Sequence, residues 1–122
     1  MYELTTIVDF EAAHQLRNYP GKCARLHGHN WQVEVTVAGN KLDEMGMLID
    51  FKVLKQKVNQ VIEGLDHYYL NELEAFRENN PSAENISQYI YQTLKNKFIP
   101  NIKLCQVKVW ESPRSAVTYR ED

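Results

Sequence analysis

The chain has 122 residues, 43% hydrophobic and 25% charged, which suits one globular domain over residues 1–122 and excludes a disordered or fibrous polymer. Its formal net charge of −2 argues against nucleic acid as a partner, because binding a phosphate backbone needs a clustered basic excess. Two cysteines, Cys23 and Cys105, make no disulfide framework. The first residues carry acids and no long apolar run, so neither a secretory signal nor a membrane span is expected, and the cytoplasm is the expected location.

Leu4 to Phe10 alternates imperfectly and is rich in Thr, Ile and Val, which predicts a strand running towards His14. Asn18, Pro20 and Gly21 mark a loop. Arg17, Lys22 and Arg25 gather there, which suits either a small anionic ligand or a merely solvated loop. His29 to Val37 then alternates cleanly, with Trp31, Val33, Val35 and Val37 on one face. A strand beginning at His27 places His27 and His29 on that same face, and Gly39-Asn40 ends it. Met47 to Phe51 is short and apolar, either a strand or a connector. Asp50 is placed to cap a helix whose apolar positions are Leu54, Val58, Val61 and Ile62, with Gly64 as its stop.

Asp66 to Asn80 is polar and irregular, a surface or functional loop. Pro81-Ser82-Ala83-Glu84 opens a second helix, with Ile86, Tyr89, Ile90, Thr93 and Leu94 on one side. Leu104 to Trp110 reads as a strand in which Leu104, Gln106, Lys108 and Trp110 oppose Cys105, Val107 and Val109, so that Cys105 is expected in the core. Ala116 to Tyr119 forms a last strand after a turn at Ser112-Pro113. This order is that of an α+β fold, an antiparallel sheet with helices on one face. The other face is left for water, a ligand or a partner subunit.

His14 and the triplet His27-Gly28-His29 form the strongest chemical signal. Histidines at i and i+2 on a strand lie on one face, roughly 6.5 Å apart, and can converge on one ion. With His14 from a neighbouring strand they supply three neutral nitrogen ligands and leave a fourth position open, the pattern of a catalytic zinc site. Cys23 either closes that site as a fourth ligand, giving a non-enzymatic structural zinc module, or serves as a free thiolate acting as base or nucleophile. Spacing leaves both open. Asp66 precedes His67 and is placed to orient its imidazole for acid–base work, against the plain alternative of a histidine ending a helix. Glu111, at a strand end, is either a solvated acid or a carboxylate able to accept two hydrogen bonds from a guanine-like ring edge.

The segments Phe10-Glu11-Ala12-Ala13-His14, Cys23-Ala24-Arg25-Leu26-His27-Gly28-His29-Asn30, Leu48-Ile49-Asp50-Phe51, Leu65-Asp66-His67, Pro81-Ser82-Ala83-Glu84-Asn85 and Trp110-Glu111-Ser112 together resemble the 6-pyruvoyl-tetrahydropterin synthase family, in order and over nearly the whole chain. The short spacing between Cys23 and His27 is similar to the family's bacterial branch, which forms carboxy-tetrahydropterin in queuosine synthesis. Trp31 and Ser112 are mild departures that remove no catalytic group. The resemblance implies a tunnelling fold, a four-stranded antiparallel sheet with two helices on one face, assembled as a homohexamer from two trimers with active sites between subunits. It implies Zn2+ on His14, His27 and His29, proton abstraction by Cys23, a relay through Asp66 and His67, and Glu111 as anchor for the pterin ring. The implied activity is a lyase acting on 7,8-dihydroneopterin triphosphate, with formation of 6-pyruvoyl-tetrahydropterin as the alternative outcome.

Overall fold

The computed structural model describes residues 1–121, apart from the side chain of Cys23. Its elements are β1 (Tyr2–His14), β2 (His27–Gly39), α1 (Phe51–Ile62), α2 (Ala83–Leu94), β3 (Lys103–Ser112) and β4 (Ser115–Tyr119). The four strands form one antiparallel sheet in the order β1-β2-β3-β4, and both helices pack on one face of it. β1 is longer than its apolar alternation suggested. All 13 of its residues pair with β2, from Tyr2 opposite Gly39 to His14 opposite His27.

Alternation decides the layers. Val8, Phe10 and Ala12 of β1 and Trp31, Val33, Val35 and Val37 of β2 turn inward and are buried. They meet Leu54, Val58, Val61 and Ile62 of α1 and Ile86, Ile90 and Leu94 of α2, the apolar stripes read from helical spacing. Tyr91 is buried as well, off the expected stripe, because its hydroxyl reaches the Leu104 carbonyl at 3.3 Å. Asp50 accepts from the Lys52 N–H and Ser82 from the Asn85 N–H, so each helix has the side-chain cap its sequence announces.

One local reading is corrected and three are made more specific. Of the two readings of Met47 to Phe51 the connector holds, over residues 47–50, and Phe51 begins α1. The Asp43 carboxylate takes the N–H groups of Met45 and Met47 at 2.9 and 3.0 Å and turns the chain before α1. Gly64 stands just past the end of α1, as expected of its stop, with Glu63 as a right-handed cap and without a left-handed backbone of its own. Leu104 and Val107 are both buried, which simple alternation forbids. The register steps between Thr36–Gln106 and Val37–Leu104, so Cys105 is the extra residue of a bulge and is only partly buried. Its place in the core is thereby lost. The segment after α1 is irregular as expected, but contains two single turns of 3-10 helix, Leu70–Glu72 and Glu74–Phe76, that bury Leu70 and Phe76.

Gly39 ends β2 for a steric reason, since a Cβ there would lie 2.7 Å from the Asn101 carbonyl. The loop after β1 is stitched to the loop before α2. Gln15 and Asn71 exchange hydrogen bonds at 2.9 and 2.8 Å, and Arg17 and Asn80 do the same at 2.9 and 3.0 Å. These bonds bring Pro81 against the end of β1, where the histidines lie.

Candidate metal centre

The β1–β2 register builds the site. His14 stands opposite His27, Ala12 stands opposite His29, and all three imidazoles face inward with Trp31 beneath them. The ring centroids are 4.5, 4.7 and 5.0 Å apart, each pair edge to face. One ligand atom from each ring lies within 4.8 Å of the other two, a spacing that small rotamer adjustments close onto one ion.

Hydrogen bonds set the tautomers. His14 Nδ1 is 2.7 Å from the Pro81 carbonyl and His27 Nδ1 is 2.6 Å from the Arg25 carbonyl. A carbonyl only accepts, so each Nδ1 carries the proton and each Nε2 turns its lone pair to the centre. The Nε2 atoms of His14 and His29 are buried without a hydrogen-bond partner. Burial, as the first cause, holds both rings below the ordinary histidine range, and the neighbouring imidazoles push the same way. Glu111 pulls each back up, and the Pro81 carbonyl does so for His14. Neutral imidazoles gathered in one cluster are what a zinc ion requires, and it would satisfy the two orphaned ring nitrogens. The residues present therefore fit the metal.

Glu111 reaches this centre from β3. Its Oε2 is 3.9 Å from His14 Nε2 and its Oε1 is 3.8 Å from His29 Nε2. Asp66 and His67 lie elsewhere. His67 Nδ1 is 3.0 Å from Asp66 Oδ1, and the ring also lies 3.5 Å from Glu11 on the sheet face opposite the imidazole tips. His67 has φ 64, a left-handed backbone uncommon outside glycine and held here by its neighbours. The constraint is visible. The His67 N–H donates to the Glu11 carbonyl, and the Glu11 N–H donates to Asp66 Oδ1 at 2.9 Å. That last bond, then the bonds from His67, hold the Asp66 carboxyl below its usual range.

Glu11, His67, Gly28, Asn30 and His29 line an open cleft of about 490 Å³. A Cβ at Gly28 would meet nothing closer than the Ala12 carbonyl at 4.0 Å, so the chain itself does not demand glycine there. One chain thus gathers His14, His27, His29 and Glu111 on one side, and Asp66 and His67 on the other. The Cys23 side chain falls outside the described residues, whereas its backbone lies in the turn Lys22–Ala24. Arg17, one of the cations suited to an anion, is committed otherwise. Its guanidinium donates to the carbonyls of Phe76 at 2.7 Å and Asn71 at 3.3 Å. Lys22 and Arg25 are exposed.

Two contributors escaped the sequence. The Pro81 carbonyl orients His14 from 67 residues away, and a backbone group leaves no mark in a sequence. Glu11 had a signal, since period-two alternation puts it on the face away from His14, but nothing in the sequence placed His67 beside it.

A family model of 6-pyruvoyl tetrahydropterin synthase matches residues 3–122. The chain is 40% identical over 115 residues to the 6-carboxy-5,6,7,8-tetrahydropterin synthase of Synechocystis sp., covering 90% of this chain and 86% of that one. It is 36% identical over 127 residues to the enzyme of the same name from Bacillus subtilis, covering 98% and 85%. Among solved structures, 6-pyruvoyl tetrahydropterin synthase of Caenorhabditis elegans superposes with a TM-score of 0.88 at 28% identity, over 99% of this chain and 96% of that one.

Proposed function

The chain belongs to the 6-pyruvoyl tetrahydropterin synthase family, and from that membership we propose a zinc-dependent lyase that converts 7,8-dihydroneopterin triphosphate to 6-carboxy-5,6,7,8-tetrahydropterin, acetaldehyde and triphosphate, a step towards queuosine. The observation that carries the chemistry is the convergence of His14, His27 and His29, with two buried, partnerless ring nitrogens. The names of the similar curated proteins favour the carboxy product.

In this proposal the three Nε2 atoms hold the ion, while the Pro81 and Arg25 carbonyls keep the His14 and His27 rings turned towards it. Zinc, when bound, supplies a Lewis acid that stabilises negative charge developing on substrate oxygen. Cys23 acts as the thiolate that removes a proton from the substrate side chain. Asp66 fixes the ring of His67 through the 3.0 Å contact, and His67 relays that proton. Glu111 accepts hydrogen bonds from the amino and ring N–H groups of the pterin.

The separation of His67 from the imidazole tips within one chain supports a site shared between subunits, as in a homohexamer of two trimers. The sheet ends on two edge strands, β1 and β4, which supports closure against further copies. Among the described residues, no helix is long and apolar enough to cross a membrane. The cytoplasm is the proposed location, because its reducing poise keeps a catalytic thiol free.

Product analysis tests the proposal. Zinc-loaded protein is mixed with 7,8-dihydroneopterin triphosphate and the products are identified by mass spectrometry. Carboxy-tetrahydropterin together with acetaldehyde is expected. Pyruvoyl-tetrahydropterin would keep the site and move the chain to the reaction named for its C. elegans structural match. Unchanged substrate would overturn the proposal.

A further inference from the structure

Glu111 is placed more tightly than a ring anchor requires. The β3–β4 register steps between Trp110 opposite Ala116 and Ser112 opposite Ser115, so Glu111 is an extra residue with no partner on β4. A bulge of this kind re-aims the side chain it carries, and here the carboxylate is aimed at the imidazoles. One oxygen is 3.9 Å from His14 Nε2 and the other is 3.8 Å from His29 Nε2.

The His14 nitrogen and the Glu111 oxygens that face each other are acceptors. His14 gives its Nδ1 proton to Pro81, His29 Nε2 is buried without a partner, and a carboxylate has only lone pairs to offer. Lone pairs gathered without a donor repel one another unless a cation lies among them. Around a tetrahedral zinc with bonds of about 2.0–2.1 Å, neighbouring ligand atoms stand roughly 3.4 Å apart. Each Glu111 oxygen therefore stands within about half an ångström of that spacing from one histidine, Oε2 from His14 and Oε1 from His29, and a turn of the side chain would bring one of them to the position that His14, His27 and His29 leave open.

We propose that Glu111 is the fourth ligand of the metal in the substrate-free enzyme, and that its carboxylate passes to the pterin ring edge when substrate oxygens take its place on the ion. This rests on the three-histidine site proposed above. The exchange is one of ligands only: a carboxylate oxygen leaves the ion as a substrate oxygen arrives, and no covalent bond to carbon changes. Exposure suits the two duties. The side chain of His14 is 1% exposed and fixed, whereas that of Glu111 is 33% exposed and open to displacement. Ring anchoring and oxygen ligation are then coupled, because the group that releases the ion is the group that grips the ring.

Cobalt(II) replaces zinc for the test, since its visible ligand-field bands report the donor set without turnover. Glu111→Gln should shift the bands of the substrate-free protein and weaken cobalt affinity by about tenfold, the low end for losing a group that supports a metal site. Biopterin, which carries no triphosphate, should shift the wild-type bands towards those of Glu111→Gln. Identical spectra and affinities in wild type and Glu111→Gln overturn the fourth ligand. They leave the three-histidine site standing if His27→Ala loses cobalt. Wild type that binds no cobalt overturns both. Should Glu111→Gln not fold, the infrared difference spectrum of wild type with and without zinc decides. One carboxylate band must move on metal binding, and a spectrum without such a band overturns the ligand.

Discussion

Replacing His29 by leucine should stabilise the metal-free protein while erasing its response to zinc. In the structure His29 Nε2 is buried with no hydrogen-bond partner, and the ring packs on Trp31 at 5.1 Å and on His27 at 4.7 Å. Leucine keeps most of that apolar contact and removes the orphaned ring nitrogen. A buried group left unsatisfied costs about 1–3 kcal/mol. The side chain is 22% exposed, so the lower end applies, about 1 kcal/mol. Unfolding entropy of about 2.1 cal/mol/K per residue gives about 0.26 kcal/mol/K for this chain, so Tm should rise by about 4 °C. Zinc at a hundred times its Kd stabilises a folded protein that binds it by about 2.7 kcal/mol, or about 10 °C on the same scale. Thermal unfolding with chelator and with zinc, for wild type and His29→Leu, reads both numbers. A metal-free His29→Leu that melts below wild type, or keeps the full zinc increment, would refute the reasoning.

Other perturbations separate the roles. Cys23→Ala should lose turnover and retain one zinc per chain, whereas His27→Ala should lose both, as read by product formation and metal content. Retention of turnover by Cys23→Ala would remove the thiolate from the reaction. The Asp66 carboxyl, held low by the Glu11 N–H and by His67, should titrate below its ordinary value of 3.8 when followed by carbon NMR. Because the folded-state pKa is the lower one, its contribution to stability is present above that ordinary value and is lost as pH falls through the depressed one. A midpoint at or above 3.8 would contradict the geometry. Arg17→Ala removes the donors to the Phe76 and Asn71 carbonyls, so residues 70–80 should exchange amide hydrogens about tenfold faster while the β2 amides are unchanged.

The fold was legible wherever one residue's environment followed from its neighbours in sequence. The period-two run from Trp31 to Val37 announced β2 and its buried face. Asp50 and Ser82 announced the helix starts through caps that act within three residues. The three histidines were legible for the same reason, since i and i+2 on a strand share a face. What stayed hidden was long-range. The bulge at Cys105 depends on how β3 meets β2, and the chain alone gives that residue the look of a core position. The left-handed backbone of His67 is imposed by bonds to Glu11, 56 residues earlier. The approach of Glu111 to His14 and His29 needs a second bulge against β4, and sequence could offer only a carboxylate at a strand end.

The most direct test of the metal-centred chemistry is turnover measured against zinc content. Protein stripped by chelator and refilled stepwise should form product in proportion to bound zinc, with a break at one ion per chain. His14→Ala should show neither the binding nor the rise. Full turnover by the stripped protein, or a break point that survives loss of His14, would contradict the assignment of His14, His27 and His29 as the centre of the reaction.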